Sequence, residues 1–263
     1  MTQPVYVAAD PATYERQMGR WSSRLAASFI DFAQIGAAAS ILDVGCGTGS
    51  LAFALARAAP RARITGVDLS EAFVAHARSR TSDTRLTFEQ GDAAALSHGD
   101  GTFDAVLSLL VLNFVPEAVR EMARIAKPGG TVAAAVWDVR GGLTFLRVLL
   151  DTAALLDPDG EAFRARMCSF PLTAPGELGA AWAEAGLQEV EETSLTIRME
   201  FGSFADYWEP WLGGQGMVGA YVASRTAEQR ELIARHLRLA YLAAGEDGPR
   251  SFAATAWAVR GIR

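Results

Sequence analysis

One glycine run and three aspartates carry the chemistry that can be read from this sequence. The stretch ILDVGCGTGS (41–50) ends an apolar run at Val44, then places glycines at 45, 47 and 49, with Asp43 just ahead of them. Glycine permits positive φ and lets a ligand approach the backbone closely. A helix opening near Gly49 presents unpaired N–H groups at the same turn. A dinucleotide fingerprint asks for G-x-G-x-x-G, whereas here the spacing is G-x-G-x-G and the sixth position is Ser50. An acid beside such a turn repels a pyrophosphate but suits a ligand bearing an ammonium or sulfonium group. Asp68 in GVDLS and Asp92 in EQGDAAAL close the next two apolar runs. A carboxylate at the first can accept both hydroxyls of a ribose, and one at the second can accept from the exocyclic amine of an adenine. Singly, each also reads as a helix cap or a loop acid. Together with the glycine turn they fall at the carboxyl ends of adjacent strands, where open α/β sheets bind ligands.

Those positions require a particular scaffold. Apolar strands are expected at 41–44, 64–68, 86–90, 103–108 and 131–137, separated by amphipathic helices at 51–59, 71–80 and 116–126. Strand–helix alternation implies a parallel sheet covered on both faces, and continuously apolar strands agree with burial on two sides. Ser70 followed by Glu71 offers an N-cap with an acid in the first turn. Pro116 suits a helix start, and Pro128-Gly129-Gly130 suits its end. The flanks read as a helix at 13–33, mostly helix over 141–168, a helix at 175–185, a strand at 187–199, a long helix at 226–243 and a last strand at 252–260. Residues 202–220 are rich in glycine and aromatics, and Gly213, Gly214 and Gly216 suggest a flexible connection there, a mobile lid.

Composition bounds the rest. The chain has 263 residues, 50% hydrophobic and 21% charged, which allows a large core and excludes wholesale disorder. A net charge of −6 argues against a general nucleic-acid binder. Two distant cysteines, Cys46 and Cys168, cannot build a disulfide framework or a cysteine zinc site. No H-x-x-x-H pattern or carboxylate cluster suggests a metal, so none is expected. Neither a signal-peptide pattern nor an apolar run of the ~20 residues that cross a bilayer is visible, so a cytoplasmic location is the expectation.

Segments 41–50, 67–70, 91–96, 103–115 and 127–131 resemble the successive motifs of class I S-adenosylmethionine-dependent methyltransferases of the small-molecule type, and AKPGGT is typical of the ubiquinone/menaquinone-biosynthesis-like group. The resemblance implies an α/β fold, a Rossmann-like seven-stranded and mostly parallel sheet with the last strand antiparallel, helices on both faces and helical cap additions. It implies one domain over 1–263, with an N-terminal helical lid at 1–39, a cofactor-binding core at 40–139, and helical acceptor-cap insertions at 140–174 and 200–248. S-adenosyl-L-methionine is the implied cofactor. The Gly45 and Gly47 backbone would lie against its methionine part, with Asp43 orienting the ammonium and a carbonyl near Ser108 and Leu109 helping. Asp68 would bind the ribose, Leu69 would pack on the adenine, Asp92 would receive the adenine amine, and the Ala93 N–H would meet a ring nitrogen. YERQMGRWS (14–22) resembles a stretch that folds over the cofactor in relatives, so Tyr14 would close the site and Arg20 would pair with the cofactor carboxylate; an ordinary surface arginine is the equal alternative.

On the acceptor side the sequence names no base. His76 reads as structural, His98 as a loop residue, and His236 lies on the long C-terminal helix. Asn113 and Trp137 follow or end strands beside the expected site, while Tyr207, Trp208 and Trp211 with Phe204 either roof a pocket or pack an added helix on the sheet. The function implied is methyl transfer by in-line displacement to a small-molecule O, N or C acceptor, aromatic or apolar, with no nucleic-acid partner and no membrane span. The alternatives are a nicotinamide-dependent oxidoreductase, disfavoured by the glycine spacing and by a single lysine, Lys127, and a non-catalytic cofactor-binding protein.

Overall fold

A computed structural model describes residues 10–263; the first nine residues of the expected N-terminal lid lie outside the described residues. Seven strands, β1 (Ser40–Val44), β2 (Arg63–Asp68), β3 (Leu86–Gln90), β4 (Phe103–Leu109), β5 (Ala126–Trp137), β6 (Gln188–Phe201) and β7 (Arg250–Ile262), form one sheet in the order β3-β2-β1-β4-β5-β7-β6. β1 to β5 pair in parallel. β7 runs antiparallel to both β5 and β6, as expected of the last strand. The chain leaves β1 toward β2 on one side and comes back to β4 on the other, so strand order reverses at β1. That reversal opens the crevice at the strand carboxyl ends where such sheets take ligands.

Side chains alternate across the pleat. Ile41, Ala105 and Leu107 enter one apolar core, and Leu42, Val44 and Val106 enter the other. The helices in chain order are α1 (Pro11–Tyr14), a π turn (Glu15–Gly19), α2 (Arg20–Ala33), α3 (Ser50–Ala58), α4 (Glu71–Ser79), α5 (Ala118–Ile125), α6 (Thr144–Leu156), α7 (Pro158–Cys168), α8 (Glu177–Glu184), α9 (Phe204–Leu212), α10 (Gly216–Ala223) and α11 (Ala227–Leu242). Among the described residues, no helix is long and apolar enough to cross a membrane.

Several boundaries differ from the sequence expectation for identifiable reasons. The expected helix at 13–33 is interrupted by the π turn, where a Cβ on Gly19 would fall 2.5 Å from Glu15 Oε2. The helical stretch 141–168 breaks at Asp157, which is extended and caps α7 by accepting from the Gly160 N–H at 2.6 Å, with Pro158 in the first turn. Lys127-Pro128-Gly129-Gly130 does not merely end a helix: it opens β5, and the Gly129 N–H, at φ +77°, donates to the Arg263 carbonyl at 2.7 Å. The glycine- and aromatic-rich stretch 202–220 is not one loose connection. It forms α9 and α10, and Gly213 and Gly214 lie at their junction.

Candidate active site

The turn after β1 is held across the sheet to β2, since the Gly45 and Cys46 N–H groups both donate to the Val67 carbonyl, at 2.8 and 2.9 Å. Its three glycines all have positive φ, but for different neighbours. A Cβ on Gly45 would meet Val111 Cγ2 at 2.4 Å, and one on Gly49 would meet Phe53 Cε2 at 2.7 Å. Gly47 alone has open space beside it, with nothing nearer than Phe73 Cδ2 at 4.0 Å. Gly47 is therefore where a ligand can lie on the backbone. α3 then begins with no side-chain cap, leaving its first N–H groups for a ligand.

Asp68 ends β2 with one oxygen accepting from the Gly47 N–H at 2.8 Å and the other from the Ser70 N–H at 2.9 Å. Each oxygen keeps a further lone pair for a donor such as a ribose hydroxyl. Burial raises its pKa, and the two backbone hydrogen bonds oppose that rise. Asp43 lies in mid-sheet between Gly66 of β2 and Leu107 of β4, only 1% exposed. Burial pushes its carboxyl up to about 8, with the neighbouring Asp68 adding to the rise. Its Oδ2 has no hydrogen-bond partner in the protein. That oxygen is covered by the protein, while the residue as a whole still borders the cavity, so a cation bound there would lower the carboxyl's pKa through its charge. Asp92 is exposed at the end of β3, accepting from the Ala94 N–H at 2.9 Å.

These groups open on one cavity of about 670 Å³. One half is walled by Asp43, Gly45 to Thr48, Asp68, Leu69, Asp92 and Ala93. The other is walled by Asn113, Phe114, Trp137, Phe145, Phe170 and Trp211, with aliphatic residues of α6 and α10. The N-terminal segment contributes Tyr14, Gln17, Met18 and Ser22. Among the described residues, no arginine, lysine or histidine lines this cavity.

Four of the candidate site residues do not line the cavity. Arg20 does not reach the cavity: its guanidinium pairs with Asp206 at 3.1 Å and lies over the Trp21 and Phe201 rings, 4.4 and 5.2 Å from their centroids. Ser108 is fully buried, with its hydroxyl donating to the Val44 carbonyl at 2.9 Å, and only its neighbours Leu109 and Leu110 reach the wall. Tyr207 turns inward and donates to the Phe145 carbonyl at 2.7 Å. Trp208 stacks on Phe204 at 6.5 Å. Tyr207 and Trp208 are thus core residues of α9, and Trp211 is the member of that set that lines the cavity. Asn113 and Trp137 do line it, as do Tyr14 and Leu69.

Sequence reasoning missed a three-residue link between the N-terminal segment and the glycine turn. Glu15 Oε1 accepts from the Thr48 hydroxyl and from Arg80 Nη1 at 2.9 Å, and Arg80 also donates to the Thr48 carbonyl at 3.1 Å. The partners stand 33 and 65 residues apart, so no local pattern announces them. Gln17 and Cys46 were also passed over, although both line the cavity. Among the described residues, no group of three or more His, Cys, Asp or Glu is placed to hold a metal ion.

A family model described as a methyltransferase domain matches residues 41–130, the stretch from β1 into β5 that builds the acid-and-glycine half. The chain is 32% identical over 174 residues to a ubiquinone/menaquinone biosynthesis C-methyltransferase of Methylobacterium nodulans, a match covering 59% of this chain and 68% of that one. It is likewise 32% identical over 168 residues to a trans-aconitate 2-methyltransferase of Variovorax paradoxus, covering 62% of this chain and 64% of the relative. The matches to the first three curated relatives span 41% to 64% of those proteins' own lengths. In fold, it is similar to a Haemonchus contortus phosphoethanolamine N-methyltransferase bound to phosphomonomethylethanolamine and S-adenosylhomocysteine, with a TM-score of 0.58, 17% identity, and 96% of this chain and 56% of that one covered.

Proposed function

The chain belongs to the S-adenosylmethionine-dependent methyltransferases, and from that premise we propose that it transfers a methyl group, by in-line displacement, to an O, N or C atom of a small molecule seated in the aromatic half of the cavity. One observation carries the proposal: a single cavity joins the acid-and-glycine half to a wall of aromatic and aliphatic side chains. When bound, S-adenosylmethionine would supply a methyl group already activated on a sulfonium: an electron pair of the acceptor would form the new bond to carbon, the sulfur would keep the old bonding pair, and the proton the acceptor carried would pass to water.

The chain's own residues have simpler tasks. Asp68 receives the ribose hydroxyls through the lone pairs its two backbone bonds leave open. Leu69, 62% exposed at the cavity edge, offers a flat apolar contact for the adenine, and Asp92 receives the adenine amine beside the Ala93 N–H. Asp43, at the cavity wall with Oδ2 covered by the protein, offsets the ammonium through its charge, and the open side of Gly47 admits the amino-acid tail. The cofactor carboxylate meets no arginine in this cavity, since Arg20 is held by Asp206.

In the aromatic half, Trp137, Phe145, Phe170 and Trp211 exclude water and orient the acceptor. No side chain there is a ready general base. Orientation and desolvation are then the protein's contribution, an effect worth ~7–11 kcal/mol in favourable cases. The N-terminal segment, tied to the glycine turn through Glu15, Thr48 and Arg80, serves as the lid over the cofactor. Calorimetric titration with S-adenosylhomocysteine tests the cofactor half: saturable one-to-one binding is expected, and no heat at millimolar ligand defeats the reading. Transfer of label from methyl-labelled cofactor to a panel of phenols, quinols and amines tests the acceptor half.

A further inference from the structure

The aromatic half of the cavity constrains the acceptor's charge. Among the described residues, the wall contains three carboxylates, Asp43, Asp68 and Asp92, all in the cofactor half, and no cationic side chain. An anionic acceptor would lose its hydration without gaining a counter-charge, and burying an unpaired charge is costly. The arginine expected to meet the cofactor carboxylate, Arg20, is already paired outside the cavity.

One polar group stands out against this wall. Asn113, 7% exposed, lines the cavity, and its carboxamide makes no hydrogen bond to any described residue. It sits on the turn after β4, where Leu110 takes φ +68°. Its neighbour Phe114 packs edge-on against Phe170, 5.3 Å between centroids, within the aromatic half. The carboxamide is not among the polar atoms sealed off without a partner, so it opens on the cavity and is free to pair with a ligand that carries a matching oxygen. The indole nitrogens of Trp137 and Trp211 in the same wall also lack partners, but like Asp43 Oδ2 they are covered by the protein and do not open on the cavity. Gln17 is the other unpaired carboxamide in the wall. It rides on the π turn that Glu15 fastens to Thr48, and so belongs with the cofactor half.

We propose that the acceptor is an uncharged, predominantly apolar molecule with one hydroxyl or carbonyl oxygen, which the Asn113 carboxamide holds as a positioning hydrogen bond. The proposal rests on the methyltransferase reading and narrows it. It sets this chain apart from relatives whose names specify trans-aconitate, an anionic acceptor.

Three probes of matched size test it: naphthol, naphthalene and naphthoate, each measured by equilibrium dialysis against the full chain saturated with S-adenosylhomocysteine at pH 7. Naphthol should bind roughly tenfold more tightly than naphthalene, the scale of one recovered hydrogen bond. Naphthoate should bind at least about a hundredfold more weakly than naphthol, because its charge finds no partner. In Asn113→Leu the preference for naphthol over naphthalene should vanish, with S-adenosylhomocysteine affinity and thermal unfolding close to those of the parent. In Gln17→Leu the preference should persist. Naphthoate binding as well as naphthol, a preference that survives Asn113→Leu, or one that is lost in Gln17→Leu would each overturn the proposal. Absence of S-adenosylhomocysteine binding would instead defeat the methyltransferase reading, so the two failures are separable.

Discussion

Replacing Asp43 by Asn should make the empty protein more stable at neutral pH while making it a poorer receptor for its cofactor. Burial in mid-sheet pushes the Asp43 carboxyl from 3.8 up to about 8. Between those values the unfolded chain has released the proton and the folded chain still holds it. The folded state therefore binds more protons, and stability falls as pH rises across that window, by about 1.4 kcal/mol per pH unit. At pH 7 the accumulated penalty is on the order of 4 kcal/mol. Asn keeps the shape and removes the titration, but its amide donors replace an oxygen that has no partner, costing about 1–3 kcal/mol. The net gain at pH 7 is then about 2 kcal/mol, or roughly 4–8 °C in a chain of this size. Near pH 4, where the wild-type penalty disappears, the variant should be the less stable of the two. The assay is thermal unfolding of both proteins without cofactor from pH 4.5 to 8, read as the difference between them, in which the other titrating groups cancel. Parallel curves would refute the reasoning. The same variant should bind S-adenosylhomocysteine more weakly, since the ammonium loses its charged partner. Wild-type binding near pH 7 should release a proton, visible as a buffer-dependent heat in calorimetry.

Asp68→Ala should weaken S-adenosylhomocysteine by at least ~1.5 kcal/mol, the scale of a charged hydrogen bond; unchanged affinity in calorimetry removes Asp68 from the ribose role. Gly47→Val should abolish cofactor binding, because its side chain fills the open face of the turn, and should cost about 1–3 kcal/mol of stability for a branched residue at φ +53°; circular dichroism and calorimetry together check both effects. Glu15→Gln should lower stability by no more than ~1 kcal/mol, since the pair with Arg80 is partly exposed, yet should speed cofactor release several-fold in stopped-flow fluorescence. An unchanged release rate would leave the link to Thr48 as a purely structural contact.

How much of the site was legible depended on how local each feature is. The segment ILDVGCGTGS encodes its strand, its turn and the start of its helix within ten neighbouring residues, and the structure keeps all three where the apolar run and the glycines place them. Asp43, Asp68 and Asp92 fall at the cavity for the same reason: each is defined by its position relative to a strand end. Arg20, Tyr207 and Trp208 lie away from the cavity because amphipathic spacing tells which residues of a helix are buried without telling what buries them. Arg20 found Asp206, which is 186 residues away, and Tyr207 found the Phe145 carbonyl, 62 residues away.

The sequence by itself determined the five strands β1 to β5, the helices between them and the acids at their carboxyl edge, because strand period, glycine φ and helix capping act between near neighbours. Tertiary structure alone decided that Gly45 is crowded by Val111 while Gly47 has open space beside it, that the N-terminal segment is fastened through Glu15, Thr48 and Arg80, and that no cation of the described residues enters the aromatic half. Those outcomes depend on how whole helices dock on the sheet, a long-range packing choice that no window of neighbouring residues contains.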